Sequence, residues 1–215
     1  MKKLITIQLA AMILLLAVPL SAAAFSGRLK NDVQLHSPFA MREGNRDFSV
    51  ISVYDTANDK VIFMPLEAYI NCVVAAEMPA SFETEALKAQ AVAARTYSVY
   101  KMQNLIKPQK HKGADVCTDF TCCKAFRNEE AQKKSWGKNY ESNRKKIADA
   151  VELTTGEIMV YDNKPICAVF HAMSSGHTEA SADVWGGNLP YLNSVESVGD
   201  TFAPNYETQV NMSSE

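Results

Sequence analysis

One acidic side chain stands in an apolar stretch where a carboxylate is costly. Glu77 follows the small apolar residues Val73 to Ala76 and precedes Met78 and Pro79 in the segment VVAAEMPA. A carboxylate removed from water has to be paired, hydrogen-bonded or protonated. Two interpretations are open. Either Glu77 ends a helix and faces solvent or pairs with Arg95, or it is a general acid whose pKa is raised by apolar neighbours.

A single carboxylate restricts the reactions that such an acid could catalyse. Ordinary glycosidases use two carboxylates, one of which activates water or forms a covalent intermediate. A lyase-type cleavage uses a hydroxyl of the sugar itself as the nucleophile, so it needs only one. An isolated glutamate in apolar surroundings is typical of this second class.

A second group of residues has the composition of a metal site. The segment HKGADVCTDFTCC contains four nitrogen and sulfur donors within thirteen residues, a set that suits tetrahedral Zn²⁺. The spacing matches no common zinc finger, and adjacent cysteines rarely both bind a metal. A disulfide with one free thiol, or plainly buried cysteines, therefore remain open alternatives. The candidate ligands are His111, Cys117, Cys122 and Cys123.

The segment FHAMSSGHTE places polar side chains in a long loop. Ser174 and Ser175 belong to a turn that could hydrogen-bond a sugar or an acetamido group, since binding residues concentrate in loops. Cys167 and His171 would lie about 13 Å apart along one strand, which is too far for a catalytic cysteine–histidine pair.

The apolar periodicity predicts the elements that position these residues. A helix from Leu66 ends at Pro79, and an Ala-rich helix follows with Ser81 as its N-cap and an end near Leu105. The Ala-rich helix carries Gln90, Arg95 and Tyr97, and Arg95 could instead extend to the surface. The other predicted elements are strands at 48–54 and 61–64, a loop-rich basic stretch at 106–146, a helix at 142–153 and strands at 157–161 and 166–172.

The predicted fold class is α+β, with the Ala-rich helix central and two hairpins packed about it. The chain has 215 residues, a hydrophobic content of 47% and a formal charge of −2, which indicate one folded domain and exclude global disorder. Residues 101–146 hold twelve Lys and Arg but five acids. This excess predicts either a solvated basic surface or a footprint for an anionic polymer. The pattern includes no nucleic-acid-binding motif.

The first residues indicate export. Lys2 and Lys3 precede an apolar run from Leu4 to Ala24 that ends in a small-residue cleavage pattern. The run is also long enough to remain as a membrane anchor, so residues 1–24 are either a signal peptide or an anchor and 25–215 the exported domain. The five cysteines cannot all pair in disulfides because their number is odd.

Three blocks of the chain resemble a known family. YINCVVAAEMPASFETEALKAQAVAARTYSVY, VCTDFTCCKAF and TTGEIMVYDNKPICAVFHAMSSGHTE are together similar to the stage II sporulation protein D family of endospore-forming bacteria. The resemblance implies a membrane-anchored lytic transglycosylase on the extracytoplasmic face of the septal membrane. It would cut the MurNAc–GlcNAc linkage of peptidoglycan during engulfment and leave 1,6-anhydro-MurNAc ends. The implied partners are glycan strands and the sporulation proteins M and P, with no nucleic acid.

The resemblance also assigns roles to individual residues. Glu77 stands at the family's catalytic acid. The zinc that some members bind would be held at the cysteine–histidine segment, with Cys122 in place of a histidine. Two departures from the family are visible. Ala172, Met173 and Ser175 alter the usual loop motif, and family members usually continue well past this block. If the missing part packs against the core, we expect a fragment or a degenerate copy with weak activity or none. The implied glycan-binding residues are Gln90, Arg95, Tyr97, His171, Ser174 and Ser175.

Two other functions are compatible with the same residues. A non-catalytic scaffold would hold glycan in its groove and recruit an amidase partner. A zinc-dependent hydrolase acting on the peptides would need the metal for turnover itself.

Overall fold

The computed structural model describes residues 47–104, 108–203 and 206–207, together with the backbone of 34–36. These residues form helices and two small sheets, which is consistent with the predicted α+β class. The predicted signal or anchor segment at 1–24 lies outside them. Within the described part of the chain, no helix has both the length and the apolar composition needed to cross a membrane.

The first predicted hairpin is confirmed. Strands β2 (Val50–Asp55) and β3 (Lys60–Pro65) pair antiparallel, and β2 alternates so that Ile51 and Val53 are fully buried. A two-residue strand, β4 (Val116–Cys117), adds to the other edge of β2 in parallel. Because β4 carries Cys117, this sheet fixes the middle of the cysteine–histidine segment.

Helix α1 (Leu66–Glu77) begins directly after β3 and ends at the acid. Its inward residues recur at helical spacing, including Tyr69, Ile70, Val73 and Val74, which are all fully buried. Met78 has extended backbone angles (φ −133°, ψ 134°), as expected for a residue that precedes a proline. Pro79 therefore terminates the helix at Glu77 as the sequence predicted.

Helix α2 (Thr84–Gln103) is the Ala-rich helix, and it is the central one. From Gln90 to Val99 every residue except Ala93 is buried. The predicted N-cap was wrong: the helix starts three residues after Ser81, Glu83 occupies the cap position, and Glu83 makes no side-chain cap bond. Helices α1, α2 and α4 (Tyr140–Glu152) pack on one another.

The second sheet comprises β1 (Gln34–His36), β5 (Ile158–Tyr161) and β6 (Lys164–Pro165), all antiparallel. It packs against α2, whereas the first hairpin packs against α1. The strand predicted at 166–172 was wrong. The Ile166 N–H still bonds the Met159 carbonyl at 3.2 Å, but the Val169 N–H bonds the Cys167 carbonyl at 2.9 Å, and this local turn bends the chain out of the extended conformation.

The basic stretch contains more regular structure than predicted. Helix α3 (Glu129–Trp136) starts at an Asn128 cap whose side chain accepts from the Ala131 N–H at 2.9 Å, and a short 3₁₀ turn joins it to α4. Beyond β6 the chain is mostly loop with one short helix, α5 (Ser181–Trp185), and a 3₁₀ turn (Val198–Phe202).

Candidate functional site

Glu77 is the last residue of α1, and its carboxylate is fixed by the loop that follows the cysteines. Its side chain is half-buried, and Oε1 accepts a hydrogen bond from the Ala125 backbone N–H at 2.8 Å. Among the described residues it has no ion pair within 4 Å, so the proposed pairing with Arg95 is not formed. The other carboxylate oxygen makes no hydrogen bond within the described part of the chain, so it is available to a ligand.

A buried lysine lies beside this acid. Lys124 immediately precedes Ala125 and is only 9% exposed. Its Nζ lies 3.8 Å from the centroid of the Phe170 ring and 4.5 Å from that of Tyr97. Burial lowers the pKa of Lys124, and the negative charge of the nearby Glu77 opposes this shift. The site therefore contains one carboxylate and one ammonium held by consecutive loop residues.

Arg95 occupies a different place from the one expected of a glycan-binding residue. It is fully buried, so the alternative that it extends to the surface was wrong. Its Nε and one terminal nitrogen donate to the two carboxylate oxygens of Glu67 at 2.9 and 2.7 Å. Its remaining donors bond the Val151 and Glu157 carbonyls and the Thr154 hydroxyl. All five of its N–H groups are thus used within the fold.

Gln90 and Tyr97 lie on α2 and are both buried. Tyr97 lies between Lys124 and the cysteines, and burial together with the charges of Cys123 and Cys167 raises its pKa. The Gln90 side-chain nitrogen has no hydrogen-bond partner among the described residues. A buried unsatisfied amide is costly, so Gln90 remains a candidate for binding a ligand.

The predicted metal ligands come together. The donor atoms of His111, Cys117, Cys122 and Cys123 all lie within 4.8 Å of one another. The Cys122 and Cys123 sulfurs are 3.9 Å apart, and His111 Nε2 lies 3.1 Å from the first and 3.6 Å from the second. A tetrahedral zinc site requires about 3.8 Å between sulfurs and about 3.6 Å between nitrogen and sulfur. The 3.6 and 3.9 Å separations match these values and the 3.1 Å separation is shorter, so the cluster could hold a metal, and its donor set suits zinc.

The disulfide alternative to a metal is not formed in this structure, whereas plainly buried thiols remain compatible with it. All five cysteines are free thiols, so the disulfide interpretation is not realised. Burial raises the pKa of Cys117 to about 12. Burial also opposes ionisation of Cys122, but hydrogen bonds from Lys110, Cys117 and Cys123 outweigh it and lower the pKa of this thiol. A bound zinc would lower the pKa of all three thiols. With four protein ligands it would have no open position, which is typical of a structural ion.

The loop at 171–175 begins next to Lys124, because the residue before the loop carries a ring that contacts this lysine. Phe170, which covers Lys124, directly precedes His171. His171 and Ser175 are exposed, and Ser174 donates through its backbone N–H (2.8 Å) and its hydroxyl to Asp200 Oδ2. These bonds lower the pKa of Asp200 and hold the loop against the 3₁₀ turn. Ser174 is therefore committed to an internal contact, while His171 and Ser175 face solvent.

Three contributors to this region were missed by reasoning from the sequence. Lys124 was counted as one of many basic residues, although its neighbours Cys123, Ala125 and Phe126 are apolar and indicate a buried segment. The Ala125 N–H acts through the backbone, so no side-chain pattern reveals it. Glu67 precedes Arg95 by 28 residues, and nothing in that separation indicates contact.

Similarities to known proteins agree with the resemblance seen in the motifs. The chain is 45% identical over 157 residues to stage II sporulation protein D of Bacillus subtilis (strain 168), which covers 73% of this chain and 46% of that protein. It is 44% identical over 156 residues to the protein of the same name from Bacillus amyloliquefaciens, which covers 73% and 45%. The chain thus spans about half the length of these curated relatives.

A more distant relative has a different name. The chain is 37% identical over 120 residues to an amidase enhancer of Bacillus subtilis (strain 168), which covers 56% of this chain and 14% of that protein. The family model for SpoIID, the stage II sporulation protein, matches residues 54–161. That match extends from the end of β2 to the end of β5 and includes Glu77, Lys124 and the four clustered ligands. The chain belongs to the stage II sporulation protein family.

Proposed function

We propose that this protein is a lytic transglycosylase that cleaves the MurNAc–GlcNAc linkage of septal peptidoglycan, with Glu77 as its catalytic acid. Membership of a sporulation family supports the biological setting. The observation that carries the assignment is the carboxylate itself. It ends a helix, one oxygen is fixed by the Ala125 N–H, and the second oxygen is unbonded among the described residues.

One carboxylate can perform both proton transfers in this reaction. Protonated Glu77 donates its proton to the glycosidic oxygen, and the bond from C1 of MurNAc to that oxygen breaks through an oxocarbenium-like transition state. The C6 hydroxyl of the same sugar then attacks C1, and its proton passes to the Glu77 carboxylate. The product has a 1,6-anhydro ring, and the acid is restored without any water entering the reaction.

The Ala125 N–H has a defined part in this cycle. A hydrogen bond from a backbone amide fixes the orientation of the carboxyl group, so the free oxygen presents the proton in a constant direction. The same bond stabilises the carboxylate that exists between the two proton transfers. A glutamine at position 77 could still accept the bond from Ala125 through its amide oxygen but has no proton of suitable acidity to give.

The decisive experiment compares the parent protein with Glu77→Gln on peptide-free glycan strands. Mass spectrometry of the products distinguishes anhydro ends, which a transglycosylase leaves, from reducing ends, which a hydrolase leaves. We expect anhydro ends from the parent and a rate loss of about 10²- to 10⁴-fold in the variant. Glu129→Gln, an exposed acid on α3, is the matched control. Equal release of anhydro sugars by Glu77→Gln and the parent would exclude Glu77 as the acid.

A bound zinc would have a supporting role in this proposal. The cysteine–histidine cluster holds the segment at 117–123 that leads directly into Lys124 and Ala125. A metal there would stabilise the loop that orients Glu77, and the chain's own four ligands would leave it no position for substrate. This arrangement argues against the zinc-dependent hydrolase.

The setting of the reaction forms part of the same proposal. An N-terminal segment at 1–24 that anchors or exports the chain would place this domain on the extracytoplasmic face of the septal membrane. There it would work beside the sporulation proteins M and P on glycan strands. Fusion of residues 1–30 to a periplasmic reporter, with and without a substitution of Lys2 and Lys3, tests this location.

One observation favours a second function, a non-catalytic glycan scaffold that assists an amidase. The chain shares 37% identity over 120 residues with a protein named an amidase enhancer. A scaffold would retain glycan affinity in Glu77→Ala, would produce no anhydro ends, and would raise the rate of a separately added amidase. The transglycosylase requires anhydro ends from the parent alone, so one set of assays decides between the two functions.

A further inference from the structure

A buried ammonium group with no oxygen acceptor lies beside the proposed catalytic acid. Lys124 is 9% exposed, and its Nζ contacts the faces of two rings, Phe170 at 3.8 Å and Tyr97 at 4.5 Å. Among the described residues it makes no hydrogen bond and no ion pair within 4 Å. Glu77 is the carboxylate with which it interacts electrostatically.

This environment satisfies only part of what a buried ammonium requires. The two ring faces attract the positive charge, which favours placing the side chain here. They are not oxygen acceptors, and Nζ is not among the described polar atoms that are fully buried without a partner, so its three donors keep some contact with solvent. An oxygen acceptor supplied by a ligand would bond a charged donor more strongly than the ring faces do. Arg95 shows that this fold can saturate a buried cation with five acceptor contacts where a structural cation is needed. The Lys124 donors are left without such acceptors.

We infer that Lys124 is a substrate-binding residue, whose ammonium donates a hydrogen bond to an acceptor oxygen of the sugar that Glu77 cleaves. This inference rests on the proposed function for the identity of the glycan. Lys124 and Ala125 are consecutive, and the Ala125 N–H holds the Glu77 carboxylate at 2.8 Å. The ammonium and the acid are therefore held by one short segment, so a sugar that reaches the free oxygen of Glu77 also comes close to Nζ.

The acceptor belongs to one of two groups that a glycan strand offers. An acetamido carbonyl and a lactyl carboxylate are both oxygen acceptors on the sugars of peptidoglycan, and an ammonium bonds either of them. Chitotetraose has acetamido groups but no lactyl group, whereas peptide-free glycan strands have both. Affinity for these two probes therefore identifies which oxygen Lys124 contacts.

The stability of Lys124→Met distinguishes a binding role from a structural one. Methionine keeps the unbranched stem and the contacts with both rings but has no charge and no donors. Desolvation disfavours the charged form of Lys124, so an apolar side chain of similar size that keeps the ring contacts should cost the fold little. We therefore expect the midpoint of thermal unfolding to stay the same or rise, while glycan binding weakens, as happens when a functional residue is kept at the expense of stability.

The experiment measures affinity in a Glu77→Gln background, so that the probes are not consumed. We expect Lys124→Met to weaken binding of peptide-free strands by about 10- to 100-fold, the loss of one charge-assisted hydrogen bond. Lys124→Arg, which keeps charge and donors, should recover most of it. Lys133→Met is the matched control, because Lys133 also lies over a tyrosine ring, at 5.4 Å from that of Tyr140, but is exposed and paired with Glu129. In otherwise unaltered protein the loss should appear mainly in KM.

Each outcome decides the inference. Weaker binding of both probes assigns the acetamido oxygen, and weaker binding of the strands alone assigns the lactyl carboxylate. Unchanged affinity for both probes in Lys124→Met overturns the inference, and so does a variant that unfolds or loses stability, since Lys124 would then belong to the fold. Absence of anhydro products from the parent contradicts the proposed function separately, because the affinity measurement does not depend on turnover.

Discussion

Two buried cations of this protein lie in regions with opposite properties. Arg95 joins α1, α2, α4 and the start of β5, and each of its donors has an oxygen acceptor within the fold. Lys124 lies where the cysteine–histidine segment meets the end of α1, between two aromatic rings and without an oxygen acceptor among the described residues. The first region is complete without a ligand, whereas the second has donors and a carboxylate oxygen left over. This difference in hydrogen bonding is the basis on which we infer a structural role for Arg95 and a substrate-binding role for Lys124.

The difference also changes how the family resemblance is used. The resemblance made Arg95 a candidate for glycan binding, but a guanidinium with all five N–H groups engaged has nothing to offer a sugar in this conformation. The motifs assigned no role to Lys124. Its N–H donors nevertheless have no oxygen acceptor among the described residues, and a ligand could supply one. In this protein the hydrogen bonds of buried polar groups, rather than burial or charge alone, decide which residues we propose as ligand-binding.

The largest effect on stability should come from replacing Arg95, whose donors are all bonded within the fold. Arg95→Met removes the partner of Glu67 and the donor to the Glu157 carbonyl and the Thr154 hydroxyl, whereas the Val151 carbonyl keeps the Thr154 N–H. Removing one member of a buried ion pair typically costs about 3–5 kcal/mol. We expect the free energy of unfolding, measured in urea, to fall by about that amount, and part of the protein to be insoluble.

Glu67→Gln is the control for this prediction. Glu67 is 35% exposed, so its side chain can be hydrated when the charge is removed, and the amide oxygen still accepts from Arg95. Its loss should be smaller than that of Arg95→Met, about 1–2 kcal/mol. Equal stability of Arg95→Met and the parent would show that the network does not contribute, and the contrast between the two cations would then fail.

Removal of a metal from the cysteine–histidine cluster should have the next largest effect on stability. It acts on the segment that leads into Lys124 and Ala125. If the cluster binds zinc at a free concentration a hundred times its dissociation constant, the ion adds about 2.7 kcal/mol to stability. We expect about one zinc per chain by elemental analysis, and a chelator should lower the midpoint of thermal unfolding. Turnover should fall in parallel, because the segment that orients Glu77 follows directly from Cys123.

Two cysteine variants make this prediction specific. Cys117→Ser removes a buried ligand from β4 and should abolish zinc binding, whereas Cys72→Ser changes a half-buried thiol outside the cluster and should leave the zinc content at the parent level. A parent protein that contains no zinc after expression in zinc-supplemented medium, with a midpoint that is indifferent to chelator, would contradict a metal role for the cluster.

The sequence predicted those features that depend on neighbouring residues. The β2–β3 hairpin, the end of α1 at Pro79 and the buried Ala-rich helix follow from periodicity and from proline chemistry, and His111 with the three clustered cysteines was found from donor type and spacing. The structure confirms these elements and brings the four donors together. The roles of Glu77 and of the glycan-binding residues remain predictions.

The features that were missed depend on contacts between distant parts of the chain. The pairing of β1 with β5 and the contact of Glu67 with Arg95 have no local signal. The strand predicted at 166–172 failed because the chain turns at the bond from the Val169 N–H to the Cys167 carbonyl, which the alternating pattern does not reveal. Lys124 looked like one more solvated base, since composition cannot show that Phe170 will cover it.

The smallest predicted effect tests whether the position of Ala125 depends on helix α3, which follows it in the chain. Asn128 caps α3 by accepting from the Ala131 N–H at 2.9 Å, and it follows Ala125 by only three residues. Asn128→Ala should cost about 1 kcal/mol of stability through loss of the cap. Turnover should stay at the parent value, because Ala125 is held on its other side by the cysteine–histidine cluster and by its bond to Glu77. Asn128→Asp, which keeps the cap, should retain both stability and activity. A clear loss of turnover in Asn128→Ala with its fold intact would mean that α3, rather than the cluster, sets the position of the Ala125 donor. The region around Lys124 and Glu77 would then include this helix.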